Sequence, residues 1–160
     1  MTTDLARQIY QDNLDAVSKA LMDGDLHEMM RHIAVPNMMS THDTEIVMSS
    51  PEELDLVTSD FREHLRGRGV ETYTRTCLEA AFVAGRDDMI AGRHQTETTG
   101  RNGVVAVAPY VNHMVLMQID DQWKGIWLQA ILANSELEIL SPDIAAAQAE
   151  ARRMLDITRR

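Results

Sequence analysis

Two long apolar segments constrain the fold of this chain more than any other feature. They span residues 104–119 and 123–133, and only the polar residues Asp120, Asp121 and Gln122 separate them. Strands joined by so short a turn pair antiparallel, and such a sheet alternates apolar and polar residues when one face meets water. Here both alternating sets are apolar. In the first segment, one set includes Val105, Val107, Val111, Val115 and Met117, and the other includes Val104, Ala106, Ala108, Met114 and Leu116. We therefore predict that helices cover one face of the sheet and a second copy of the chain covers the other, giving a homodimer.

Two more strands are predicted immediately before these segments. Residues 72–84 are rich in threonine, valine and aromatic side chains, and residues 89–99 follow them after the polar turn 85–88. A second polar turn, residues 100–103, leads into the long apolar segment. Strands separated by short polar turns indicate an antiparallel meander of four strands.

Helices are predicted for the first third of the chain. Residues 3–22 carry an apolar stripe on one helical face, formed by Tyr10, Leu14, Val17 and Leu21. Gly24 ends this helix, and Asp25 caps a short second helix that runs through Ile33. Pro36 closes the second helix, because the residue before a proline is driven out of the helical conformation.

A third and a fourth helix are predicted on either side of the strands. Residues 38–48 have a β-like pattern, and Ser50-Pro51-Glu52-Glu53 then has the composition of a helix start. The stripe of this third helix is Leu54, Val57, Phe61 and Leu65. A last helix is predicted for residues 142–160, beginning after Ser141, and we expect it to pack at the edge of the sheet.

Size and charge limit the class of protein. A chain of 160 residues without repeats or linkers fits one domain. A net charge of −10 disfavours nucleic acid as a partner, and no apolar run approaches the roughly 20 residues of a membrane span. The start of the chain lacks the features of a signal peptide, so we expect a cytoplasmic protein. Its lone cysteine, Cys77, excludes an internal disulfide framework.

Two local motifs resemble a known superfamily. Leu21-Met22-Asp23-Gly24-Asp25-Leu26 is similar to the turn between the first two helices of nuclear transport factor 2-like proteins, and Asp120-Asp121-Gln122-Trp123-Lys124 is similar to their last hairpin. The order of three helices, a strand after the second and a meander is also theirs. The resemblance covers roughly residues 5–133 and points to the SnoaL-like branch, which contains polyketide cyclases and relatives of ketosteroid isomerases.

This resemblance implies an α+β fold. A curved antiparallel sheet would wrap around the three N-terminal helices as a cone with an apolar pocket at its open end, followed by a C-terminal helix. The expected division is a nuclear transport factor 2-like domain at 1–140 and a helical extension at 141–160.

The catalytic triad of the ketosteroid isomerases is not reproduced in this sequence. Val17 stands near the place of their tyrosine, Thr41 in the place of their base, and Asn112 in the place of their second acid. The resemblance therefore argues against steroid isomerisation, while leaving other reactions of the superfamily open.

Four residues are candidates for catalysis: His42, Asp43, His94 and Asn112. His42 and Asp43 are neighbours on a strand, so only one of them can enter the pocket. There it would act as a general base; alternatively, the two form a pair at the rim of the cone. His94, His113 and Asn112 could polarise a carbonyl group or shuttle a proton, although each histidine could instead be structural.

No metal or cofactor site is expected. His27 and His32 are five residues apart, which turns their side chains away from each other, and no phosphate-binding glycine motif occurs. The expected ligand is small and either apolar or carbonyl-containing. The candidate ligand-binding residues are Tyr10, Tyr110, His113 and Trp127.

Two functions remain open from the sequence. The first is a small-molecule pocket protein of the SnoaL-like kind that acts as a cofactor-free isomerase, cyclase or dehydratase. The second is a non-catalytic dimeric module that binds a ligand or serves as an accessory protein. The sequence favours neither.

Overall fold

A computed structural model describes residues 3–137 and 139–158. The first half contains the helices α1 (Thr3–Asp23), α2 (Leu26–His32) and α3 (Pro51–Gly67), with the strands β1 (Ile33–Ser40) and β2 (Glu45–Met48) between α2 and α3. The second half contains β3 (Thr72–Phe82), β4 (Met89–Thr99), a single 3₁₀ turn (Arg101–Gly103), β5 (Val105–Ile119), β6 (Gln122–Ala130) and α4 (Pro142–Thr158). The predicted α+β class and the predicted order of elements are confirmed. Arg159 and Arg160, which the sequence places in the last helix, lie outside the described residues.

The six strands form one curved sheet in the order β2-β1-β6-β5-β4-β3. Strands β3 to β6 are the predicted antiparallel meander. The sheet as a whole is mixed, because β1 pairs with β6 in parallel, while its other pairings are antiparallel. These two strands are far apart in sequence, so no hairpin turn fixes their relative direction.

The region around Pro36 differs from its prediction. Helix α2 ends at His32 rather than being closed by Pro36. The backbone of Ile33 is extended, and β1 begins there and continues through Pro36. The β-like stretch 38–48 consequently divides into the end of β1 and the separate strand β2, with a turn between them. Ile33 and Val35 are β-branched residues, which favour a strand over a helix.

The two faces of the sheet meet different surroundings. On β5, the side chains of Tyr110, Asn112, Met114 and Leu116 are buried towards the helices. Those between them, such as His113 and Val115, point to the opposite, outer face. The sequence left open which set faces inward, since both are apolar.

Helix α4 lies against the free edge of β2. The side-chain amide of Gln148 accepts a hydrogen bond from the backbone N–H of Val47 and donates one to its carbonyl oxygen, each at 2.8 Å. Gln148 thereby satisfies the backbone groups that an edge strand would otherwise leave unpaired. The structure thus places α4 at the sheet edge, as predicted. None of the described helices has the length and apolar character needed to cross a membrane.

Candidate functional site

A cavity of about 80 Å³ lies between the helices and the inner face of the sheet. Its walls are mainly apolar and come from all three N-terminal helices and five of the six strands. The volume is about half that of the 150 Å³ engineered cavity that binds benzene. Four methionines contribute to the lining, and their flexible side chains allow such a space to change shape. They are Met29, Met39, Met48 and Met114.

A buried arginine lies on the cavity wall. Arg75 on β3 is only 6% exposed, and its Nε donates a hydrogen bond of 2.8 Å to the hydroxyl of Ser18. Its Nη2 donates one of 3.2 Å to the carbonyl oxygen of Leu14, and the guanidinium carbon lies 5.6 Å from the ring centre of Tyr73. Within residues 3–137 and 139–158, no acidic side chain forms an ion pair with Arg75. The site therefore holds one positive charge that none of the described acidic side chains neutralises.

Three carboxamides also line the cavity. The Oδ1 of Asn112 accepts a hydrogen bond of 2.6 Å from the hydroxyl of Thr96, and the Nδ2 atoms of Asn13 and Asn37 donate to backbone carbonyl oxygens at 3.0 and 2.8 Å. Because these bonds hold the amides in place, the cavity presents oriented polar groups within an apolar wall.

Tyr110, another lining residue, is a neutral group at physiological pH. Burial raises the pKa of its hydroxyl well above 10. The hydroxyl therefore keeps its proton and can donate a hydrogen bond, whereas it is a poor base.

A buried tyrosine–histidine pair connects α1 to β4. The hydroxyl of Tyr10 and Nδ1 of His94 are 2.6 Å apart, and both residues are fully inaccessible to solvent. Burial, followed by the charges of Arg75 and His113, lowers the pKa of His94 to about 2, so its ring is neutral. Its Nε2 has no hydrogen-bond partner. Neither ring of the pair lines the cavity.

The structure distributes the eight residues predicted from the sequence over several places. Asn112 and Tyr110 line the cavity, whereas Tyr10 and His94 form the buried pair outside it. Trp127 also borders the cavity, but its pairing with Val115 puts its side chain on the outer face of the sheet. His113, a candidate for ligand binding, is exposed on the outer face, because it occupies the opposite phase of β5 from Asn112.

His42 and Asp43, the other two candidates, lie together in the exposed turn between β1 and β2 and do not line the cavity. Of the two alternatives, this placement corresponds to the pair outside the cavity. The carboxylate of Asp43 accepts hydrogen bonds from the backbone N–H of Asn134 at 2.7 Å and from the hydroxyl of Thr41 at 3.1 Å. The bond from Asn134 is the main cause that lowers the pKa of Asp43 below its usual value. An exposed carboxylate held ionised in this way stabilises the turn and is a weak base.

Sequence reasoning missed the buried arginine. Arg75 occupies the same phase of β3 as Tyr73 and Cys77, and it is the one basic residue among those inward positions. An isolated basic residue between apolar positions of one strand phase is the signal that could have identified it.

Solved structures with the same fold come from several bacteria. A protein of unknown function with a cystatin-like fold from Nostoc punctiforme PCC 73102 superposes with a TM-score of 0.63 at 14% identity, over 85% of this chain and 97% of that one. A second cystatin-like domain of unknown function from the same organism gives 0.61 at 10% identity, over 99% of both chains. A nuclear transport factor 2-like protein of unknown function from Shewanella oneidensis MR-1 gives 0.58 at 12% identity, over 78% of this chain and 97% of that one.

These similarities show the fold. The chain has the cystatin-like fold of nuclear transport factor 2-like proteins, as the sequence motifs predicted. No family model matches the sequence, and no curated protein matches it. Membership of the SnoaL-like branch stays a prediction, since fold similarity at such low identity does not separate the branches.

Proposed function

We propose that this protein binds a small, mainly apolar ligand in its interior cavity without converting it chemically. The supporting observation is the composition of the cavity wall. Among the described lining residues, Arg75 is the one charged side chain, and the other polar groups are carboxamides, hydroxyls and phenols. Such groups orient a ligand, while the apolar side chains supply most of the contact area.

The same wall disfavours proton-transfer chemistry. A general base needs a pKa near the working pH and a position within hydrogen-bond reach of the ligand. Tyr110 is held in its protonated form, and His94 is neutral but separated from the cavity. Asp43 is bound into the exposed turn. The candidates for catalysis therefore lack either the position or the basicity that an isomerase or dehydratase would use.

Binding of a neutral probe tests this function. We expect cyclopentanone, a small ring ketone, to bind with a dissociation constant on the order of 1 mM, which corresponds to about 4 kcal/mol. With methyl-¹³C methionine labels, the NMR signals of Met29, Met39, Met48 and Met114 should shift together. The signal of Met154, which is half exposed on α4, should stay in place.

A cavity-filling variant makes the test specific. Val17 lines the cavity, so Val17→Phe should weaken cyclopentanone binding at least about tenfold by occupying the space. Val104→Phe is the matched control, because it makes the same change at a position 65% exposed. Absence of any shift at the four cavity methionines in the wild-type protein would contradict the proposal.

We also propose that the outer face of the sheet forms a homodimer. Val115 lies near the centre of this face, flanked by Ala91 on β4 and Trp127 on β6, and all three side chains retain exposed apolar surface. Helix α4 packs at the edge of β2 and leaves this central region uncovered. Covering it with a second copy would bury on the order of 1,200–2,000 Å², the area of an ordinary specific interface.

Analytical ultracentrifugation at micromolar concentration tests the dimer. We expect a species of twice the 18.0 kDa chain mass. Val115→Lys should weaken self-association at least about 100-fold, because it places an unpaired charge within the interface. Met154→Lys, on the exposed side of α4, should leave the dimer intact. A wild-type protein that sediments at 18.0 kDa would refute the proposal.

A further inference from the structure

The charge on the cavity wall goes beyond what a neutral ligand requires. A guanidinium carries five N–H donors. Arg75 uses one on Ser18 and one on Leu14, and Nη1 takes part in neither bond. No other hydrogen bond joins the remaining three donors to a described residue, and the side chain is 6% exposed and faces an interior space.

Burying such a cation without an opposite charge is unfavourable. Buried charges in proteins are normally paired, because only strong local interactions offset the cost of removing a charge from water. The two hydrogen bonds and the nearby Tyr73 ring offset part of this cost. They supply no negative charge.

The effect of this charge extends to neighbouring groups. Burial raises the pKa of Tyr10, and the charge of Arg75 opposes that change. For His94, burial and Arg75 both lower the pKa. Arg75 thus makes the surrounding interior favourable for a negative charge, which the described side chains do not provide.

We infer that the ligand of this cavity is a small aliphatic monocarboxylate whose carboxylate pairs with Arg75. The inference rests on the proposed binding function and names the chemical class of the ligand. A guanidinium matches a carboxylate by two parallel hydrogen bonds, and such charged pairs are stronger than neutral ones. The hydrocarbon part of the ligand packs among lining side chains such as Val17, Leu54 and Phe61.

The remaining polar wall fits the same ligand. Oδ1 of Asn112 accepts its hydrogen bond from the hydroxyl of Thr96. The Nδ2 group of Asn112, which lines the cavity, can therefore donate to an oxygen of the ligand. One buried arginine balances one negative charge, so a monoanion fits better than a phosphate dianion. The mainly apolar lining also favours a hydrocarbon chain over a fully polar ion.

The test compares a carboxylate with its neutral counterpart of the same shape. Butanoate and butanamide are titrated separately at pH 7 into wild-type protein carrying methyl-¹³C methionine. We expect butanoate to shift the four cavity methionine signals and to bind about 10- to 100-fold more tightly than butanamide, as a charged hydrogen bond predicts.

Two variants assign the preference to its residue. Arg75→Gln should bind butanoate and butanamide with about equal affinity. Its affinity for butanamide should stay within about threefold of the wild-type value. Arg93→Gln is the matched control, since Arg93 is an exposed arginine of the adjacent strand that pairs with Glu79 at 2.7 Å on the outer face. It should keep the wild-type preference.

Each result separates this inference from the proposed function. Equal affinity of the wild-type protein for butanoate and butanamide overturns the carboxylate assignment. An unchanged preference for butanoate in Arg75→Gln overturns it as well. In both cases, binding of cyclopentanone would still support the proposed binding function of the cavity. If neither compound nor cyclopentanone shifts the cavity methionines, both proposals fail. Should Arg75→Gln not fold, the wild-type ratio decides, and Arg75→Lys, which keeps the charge but not the two-bond geometry, should reduce it.

Discussion

Below pH 6.5, one buried histidine is expected to reduce the free energy of unfolding by about 1.4 kcal/mol for each unit of pH. The residue is His94, whose ring is fully inaccessible to solvent and whose pKa lies at about 2 in the folded protein. In the unfolded chain its pKa is about 6.5. At pH 4 the loss from this residue should reach about 3 kcal/mol relative to pH 7.

The direction of this effect follows from proton uptake. Between pH 6.5 and 2 the unfolded chain protonates His94, whereas the folded protein keeps the ring neutral. Acid therefore favours unfolding, and the stability is fully present above pH 6.5. Burial is the main cause, and the positive charges of Arg75 and His113 add to it. The other facing groups are Tyr10, which hydrogen-bonds Nδ1, and Cys77, opposite it on β3.

Urea unfolding at pH 7, 5 and 4 measures the effect. His94→Gln retains a polar partner for Tyr10 but cannot take up a proton, so its stability should fall less steeply with acid. The carboxyl groups contribute to the pH dependence of both the wild-type protein and His94→Gln. The difference between the two pH dependences therefore measures the contribution of His94. His42→Gln is the control, because it removes an exposed histidine instead. Its free energy of unfolding should fall with acid as steeply as that of the wild-type protein. Equal slopes for wild type and His94→Gln would refute the assignment.

Gly92→Ala is expected to destabilise the protein by about 3 kcal/mol and to lower its melting temperature by roughly 10 °C. A Cβ atom at Gly92 would lie 2.6 Å from the carbonyl oxygen of Glu79 and 2.7 Å from the ring of Tyr10. The first contact is with backbone that belongs to the β3–β4 pairing, so it cannot move without disturbing the sheet. Relief of the second contact would displace Tyr10 from His94.

Thermal unfolding followed by circular dichroism checks this expectation. Gly67→Ala is the matched control, because the same added methyl group meets nothing within 4 Å at the end of α3. Alanine favours a helix over glycine, so the control should be neutral or slightly stabilising, by up to about 1 kcal/mol. A Gly92→Ala protein as stable as wild type would show that Tyr10 and β3 tolerate the closer approach.

Much of the fold could be predicted from residue spacing alone. The stripe through Tyr10, Leu14 and Val17 predicts α1, and Ser50 followed by Pro51 marks the start of α3. These signals are local, because a helix buries residues three and four positions apart and its cap lies at the adjacent residue. The antiparallel meander could also be predicted from the sequence, since short polar turns separate its strands.

The candidate site was less predictable because sequence-distant elements assemble it. Asn112, a candidate for catalysis, and Tyr110, a candidate for ligand binding, both line the cavity, whereas their roles stay predictions. The β-like pattern of residues 38–48 left open whether His42 or Asp43 enters the cavity or the two form a pair at its rim. The chain turns there, and the carboxylate of Asp43 is bound by the backbone N–H of Asn134. That hydrogen bond joins residues 91 positions apart, so no local sequence pattern predicts it.

The sequence by itself determined the elements, their order and the apolar character of both sheet faces, because these depend on neighbouring residues. Only the tertiary structure decided which face is the interior and where the charge lies within it. Strict alternation along β3 would put Glu79 on the same face as Tyr73, Arg75 and Cys77. A register shift between Cys77 and Glu79 turns Glu79 outward to Arg93 and leaves Arg75 facing the helices. The extra residue, Leu78, reverses the phase of the strand after Cys77, so the pairing of β3 with β4 decides that Glu79 does not share the inner face with Arg75.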